Sequence, residues 1–125
     1  MPHWPPRGRG GVFMASGEDE LAEHFGAVPE GIDILVTHTP PRGHGDRTEA
    51  GEHVGSTALL ETIERRRPPL AVFGHIHEGR GEPTREGRTL CANSAICDRW
   101  FVRSNQPWLI ELDIAARAAE LVSAA

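Results

Sequence analysis

Ile32-Asp33-Ile34-Leu35-Val36-Thr37-His38 and Leu70-Ala71-Val72-Phe73-Gly74-His75-Ile76-His77 are the two stretches on which the fold turns. Each is a nearly continuous apolar run that ends at histidine. Such runs predict strands over 32–37 and 70–73, covered on both faces by helices. Between them, Ser56 to Arg67 sets Leu59, Leu60 and Ile63 on one face and Glu61 and Arg65 four apart on another, and Pro68-Pro69 ends the run. That spacing predicts a helix. Strand, helix, strand reads as one βαβ unit with parallel strands. Their carboxyl ends then lie on the same sheet edge, where open α/β sheets hold their ligands.

Outward from this unit the pattern is looser. Glu18 to Phe25 predicts a short helix, with Ser16 as its cap and Gly26 as its stop. Residues 1–15 read as an irregular lead-in rich in Pro, Gly and Arg. Thr39 to Gly55 is a loop whose length itself hints at function. A polar loop with Gly79, Gly81, Pro83 and Gly87 precedes two further strands, Arg88 to Ala95 and Trp108 to Ile114. The tail Ala115 to Ala125 suits a final helix or the return strand of a hairpin, and the strand is the preferred reading. Mixed order of this kind predicts an α/β or layered α+β class.

Composition narrows the function classes. A chain of 125 residues allows one compact domain. Its apolar stretches are far shorter than a membrane helix, and the first residues lack the apolar segment of a secretory signal, so the expected compartment is the cytoplasm. A net charge of -5 disfavours nonspecific nucleic-acid or membrane binding. All 13 basic residues are Arg, a compositional bias to which no role is attached. The Arg65-Arg66-Arg67 triplet reads as a solvated helix end that complements the helix dipole. Cys91 and Cys97 are too few for a disulfide framework and are read as reduced, partly buried thiols.

The chemistry collects at the shared strand edge. His38 leaves the first strand, and His75 and His77 leave the second, so three imidazoles nearly forty positions apart converge in a Gly-rich setting, a metal-site signature. A zincin helix is excluded, because Gly79 and Gly81 follow His77 where a second ligand would have to share its helix face. The cupin-like spacing of His75, His77 and Glu82 fails because a helix over 56–67 has no place in an all-β barrel. His3, His24, His44 and His53 are read as solvated or loop structure. Arg42, Arg47 and Arg80 are the only candidate phosphate contacts, each read as solvated.

These motifs resemble the calcineurin-like metallophosphoesterases. The matching pieces are Asp33 to Pro41, Val72 to Gly79, Asn93 with Cys97, and Asn105-Gln106-Pro107 ahead of the last strand. They are similar to the branch of metallophosphoesterase domain-containing proteins, and Trp4-Pro5, Phe13 and Val28-Pro29-Glu30-Gly31 resemble the stretch preceding them there. The resemblance covers nearly all of residues 1–125 and implies the C-terminal half of that domain, a β-sandwich flanked by helices.

It also implies a metal-dependent phosphoric ester hydrolase of phosphomonoesterase or phosphodiesterase type. His38 and His75 would ligate one divalent ion (Mn, Fe or Zn) and His77 a second, with a small phosphate ester or nucleotide as substrate. The family's Asp-x-His, Gly-Asp and Gly-Asn-His blocks do not occur ahead of Asp33. The expectation is therefore one ion at most, weak or absent turnover by the chain alone, and no residue assigned a catalytic role. Bare strand edges are expected to favour self-association. The alternative is a noncatalytic metal-binding or interaction domain that retains part of the fold.

Overall fold

A computed structural model describes residues 17–98 and 100–124. The lead-in over 1–15, the Ser16 cap, His3, and the Trp4-Pro5 and Phe13 pieces of the resemblance lie outside them. In chain order the elements are α1 (Glu18–Gly26), β1 (Ile34–Val36), α2 (Thr57–Arg66), β2 (Leu70–Phe73), a 3-10 turn (His77–Gly79), β3 (Thr84–Glu86), β4 (Thr89–Asn93), β5 (Trp108–Asp113) and β6 (Ala118–Ala124). The class is mixed α/β, as the sequence implies.

The βαβ unit is present. β1 and β2 run parallel with Ile34 beside Leu70 and Val36 beside Val72. β4 extends the sheet in parallel on the far side of β2, and β3 closes it antiparallel, giving the order β1-β2-β4-β3. β5 and β6 form a separate antiparallel hairpin. The tail is thus a strand, and its turn is held by the left-handed Arg117, whose amide donates to the Ile114 carbonyl. The Arg117 guanidinium donates to Asp33 Oδ1 and to the Ile32 carbonyl, tying the hairpin to the approach of β1.

α2 forms where the sequence places it, and its start is doubly capped. Ser56 Oγ accepts from the Leu59 amide, while the Glu18 carboxylate of α1 accepts from the Ser56 hydroxyl and the Ala58 amide. A carboxylate suits the positive end of a helix. The buried stripe of α2 packs Leu59 and Ile63 on Leu35, Ala71, Phe73 and Cys91, with Phe25 of α1 against them. Each fully buried aliphatic side chain of this kind contributes about 1.5–3 kcal/mol. Burial and the charge of Glu86 push the Cys91 thiol up to about 12, so it sits in the core as an inert apolar group.

The opposite face of the sheet is covered by the hairpin, where Ala119, Ile110 and Leu112 pack on Leu70, Leu90 and Val72. This cover stops short of β1. Ile34 is 47% and Val36 72% exposed, so β1 is buried on one face only, contrary to the two-sided burial its composition suggests. The apolar alternation is satisfied by the helices at Leu35, while its neighbours point to the other side of the sheet. Two further readings are corrected. The polar segment after Gly79 contains β3, paired to β4 across Gly87. Arg66 is not a solvated helix end, because it donates to the Val28 carbonyl and pairs with Glu30. Among the described residues, no helix is long and apolar enough to cross a membrane.

Candidate functional site

Parallel pairing of β1 and β2 delivers the predicted convergence. The His38 carbonyl accepts from the Gly74 amide, so the two strand ends are stitched together where the histidines begin. The His38 and His75 rings stand 4.7 Å apart, tilted by 48°. Among the described residues neither ring has a hydrogen-bond partner. His75 occupies a left-handed conformation (φ 67°) at the centre of a three-residue turn in which the Ile76 amide donates back to the Gly74 carbonyl. Turns of that kind are rare and strained, and such strain is concentrated at functional positions. Loss of hydration, reinforced by positive charge on His38 and His77, lowers the His75 pKa and favours its neutral, lone-pair-bearing form.

His77 lies at the start of the 3-10 turn, and its Nδ1 donates to the Asp98 carbonyl at 2.8 Å. A carbonyl only accepts, so the proton is on Nδ1 and the lone pair on Nε2. Metal-ligating histidines are oriented by this kind of outer bond. Phe101 meets the His77 ring edge to face at 5.4 Å.

Asn93, at the carboxyl end of β4, fastens the surrounding loops to this edge. Its Nδ2 donates to the Gly45 and Ile76 carbonyls, its Oδ1 accepts from the Ala95 amide, and its own carbonyl accepts from Trp108 Nε1. The loop over 39–55 and the turn carrying His75 are thereby held by one buried side chain. Gly79 completes the contact, since a Cβ there would stand 2.5 Å from the Gly45 carbonyl oxygen. Only glycine allows the two backbones to approach this closely.

His44 and His53, read as solvated or loop structure, are loop structure. His44 is buried, with Nδ1 on Thr84 Oγ1 and Nε2 on Glu86, which ties the long loop to β3. His53 Nδ1 donates to Asp46 Oδ1 at 2.6 Å. The remaining oxygen of that buried carboxylate accepts from the Gly43 and Gly55 amides. Arg80 is also not solvated: it lies over the Trp108 ring at 4.0 Å and donates to the Ala95 and Gln106 carbonyls, a structural clamp and not a free phosphate contact. Arg42 and Arg47 are exposed, as read, and reach the His53 carbonyl and Nε2 respectively across the surface. A cleft of about 420 Å³ opens between Asp46, Arg47 and His53 on one wall and Gly79, Glu82 and Thr84 on the other, and the three strand-end histidines do not line it.

The donor chemistry can be tested against a divalent ion. Two imidazoles sharing one ion at about 2.1 Å stand roughly 4.5–5 Å apart between ring centres, so the His38–His75 pair fits. His77 contributes a correctly protonated ring next to that pair. Among the described residues, however, no group of three or more His, Cys, Asp or Glu stands in an arrangement that could hold a metal ion. The structure brings His38 and His75 together and leaves His77 beside them, held to Asp98.

The fold and this edge define a mixed α/β protein that gathers imidazoles at the carboxyl end of a parallel strand pair. The chain matches no established family profile. It is 38% identical over 112 residues to a UPF0046 protein of Caenorhabditis elegans, covering 89% of this chain and 28% of that one. It is 40% identical over 111 residues to the human Metallophosphoesterase domain-containing protein 1, covering 87% of this chain and 34% of that one. A second C. elegans UPF0046 protein is 40% identical over 91 residues, covering 73% of this chain and 31% of that one. The chain belongs to a metallophosphoesterase-related family and spans about a third of the length of these curated relatives.

Asp98 and Phe101 have no signal in the sequence, since the first acts through its backbone and the second from 24 positions beyond His77. Asn93 had one, as the only asparagine at the end of a buried strand.

Proposed function

We propose that the chain carries part of a metal-dependent phosphoric ester hydrolase, with His38, His75 and His77 as its imidazole donors. The observation that carries this reading is the bare His38–His75 ring pair, set at the sheet edge by a strained turn. A divalent ion bound there supplies Lewis acidity toward a phosphoryl oxygen. The chain's own contribution is to present imidazole nitrogens, His75 through its lowered pKa and His77 through the Asp98 carbonyl that turns Nε2 away from the bond. The relatives' printed names support the hydrolase lineage.

Calorimetric titration with Mn²⁺, together with hydrolysis of bis-nitrophenyl phosphate, tests the reading. Metal-dependent hydrolysis that disappears in His77→Ala, with Mn²⁺ binding lost in His75→Ala, is the expected result. Hydrolysis untouched by His77→Ala removes the site assignment. The spacing of the His38 and His75 rings also suits a second reading, a noncatalytic metal-binding domain, for which submicromolar Mn²⁺ or Zn²⁺ binding without any hydrolysis is the expected outcome.

A further inference from the structure

The cleft of about 420 Å³ beside β3 has walls of opposite charge, with Arg47 on one side and Glu82 on the other. The Arg47 wall is a small hairpin, bridged at Arg47 and His53 and closed by the Val54 amide on the Asp46 carbonyl and the Thr48 amide on the Glu52 carbonyl. The Glu82 wall is the segment that leads into β3.

The placing of Arg47 begins in the interior. Asp46 is buried, and its carboxylate oxygens are taken up by the Gly43 and Gly55 amides and by His53 Nδ1. On the far side of that ring, His53 Nε2 accepts from Arg47 Nη2 at 3.4 Å. A buried carboxylate thus orients the imidazole, and the imidazole steadies one donor of the guanidinium while the rest of the fork stays open. Across the cleft, Glu82 is exposed. Among the described residues Arg47 and Glu82 form no ion pair with each other or with any other group. What lies between them is backbone. Gly45 and Gly79 meet so closely that a Cβ on Gly79 would stand 2.5 Å from the Gly45 carbonyl oxygen, so these positions put no side chain into the space.

We infer that this cleft binds a small zwitterion, a free amino acid whose carboxylate lies on Arg47 and whose ammonium lies on Glu82. An arginine fork matches a carboxylate, and a free carboxylate is the natural acceptor for an ammonium group. A lone anion would gain Arg47 but face the charge of Glu82, and a lone amine would meet the reverse. Only a ligand that carries both charges is favoured by both walls. The three strand-end histidines do not line the cleft, so the inference goes beyond the phosphoesterase reading, does not rest on it and requires no metal.

Backbone-amide NMR titration of the chain, at low salt and with a chelator present, tests it. The probes are L-alanine and 4-aminobutanoate, whose charges lie close together and far apart, against propionate and ethylamine, which each keep one charge. The expected result is a saturable shift at Gly45 and Gly79 with at least one of the two amino acids, at an affinity about tenfold above either singly charged compound. In Arg47→Met that affinity falls by about tenfold while ethylamine binds no more weakly, and in Glu82→Gln it falls likewise while propionate binds no more weakly. Both side chains are exposed, so neither substitution disturbs the core. Propionate or ethylamine binding as tightly as the amino acids overturns the inference. So does the absence of a saturable shift from both amino acids, or an amino-acid affinity unchanged in either variant. Because the chelator removes any divalent ion, none of these outcomes depends on whether the histidines bind metal or hydrolyse an ester.

Discussion

His44 and His53, in the loop that follows β1, and His38 and His75, at the ends of β1 and β2, are the same residue put to opposite uses. The loop pair has its ring nitrogens engaged: His44 on Thr84 and Glu86, His53 on Asp46 and Arg47. The strand-end pair has no hydrogen bond to either ring among the described residues, and His75 is held in a conformation that costs stability. A bonded imidazole is spent on holding backbone in place. An unbonded one held under strain gives no such return to the fold.

The largest effect that sharpens this contrast is expected at Asp46. Asp46→Ala leaves the buried Gly55 amide, the Gly43 amide and the His53 ring without their acceptor, a loss of about 3 kcal/mol. Chemical denaturation of the variant reads it, with Mn²⁺ binding by the refolded chain unchanged. A loss of metal binding at intact stability would erase the division between loop and strand end.

The same carboxylate makes the contrast pH-dependent. Burial acts to raise its pKa, but the His53 hydrogen bond, the Gly43 and Gly55 amides and the charge of His53 outweigh that and hold it below the ordinary 3.8. A depressed carboxylate contributes stability that is fully present above its unfolded pKa and is lost as pH falls through its lower folded value. The stability gap between wild type and Asp46→Ala is therefore expected at full size at pH 6 and to close below about pH 4. A gap that persists unchanged to pH 2 would mean that the carboxylate acts by shape and not by charge.

How much of this was legible follows from where each signal is stored. The βαβ unit was readable because the apolar runs, the Ser56 cap and Pro68-Pro69 are local, and parallel pairing then dictates that His38 and His75 meet. β3 was not readable: Thr84-Arg85-Glu86 has no apolar alternation, and its place depends on pairing with β4 and on the His44 bonds from forty positions away. Gly87, with a positive φ at the hairpin turn, was the one available hint. The bare face of β1 escaped for a related reason, since composition shows that a strand is apolar and not how far a neighbouring hairpin reaches. Arg80 could not be placed either, because its partners Ala95, Gln106 and Trp108 are set by the return of the chain.

A smaller loss is expected in His44→Ala. Thr84 and Glu86 lose their imidazole, but Glu86 is partly open to water and recovers some solvation, so the cost is about 1–2 kcal/mol. Thermal unfolding measures it, and Mn²⁺ affinity is expected to stay at the wild-type value. A larger loss in metal affinity than in stability would place His44 with the strand-end group.

The smallest effect has the opposite sign. His75→Gly removes an imidazole with no hydrogen bond among the described residues and relieves a φ of 67° that glycine adopts freely. The entropy glycine gains in the unfolded chain offsets part of that relief, leaving a net stabilisation of about 0.5–1 kcal/mol. The variant is thus expected to unfold at a slightly higher temperature than the wild type while losing Mn²⁺ binding. Greater stability bought by deleting a conspicuous residue marks a position held against the interest of the fold. A drop in unfolding temperature would show that the His75 ring is part of the packing, and the distinction between the two histidine pairs would collapse at the residue on which it depends most.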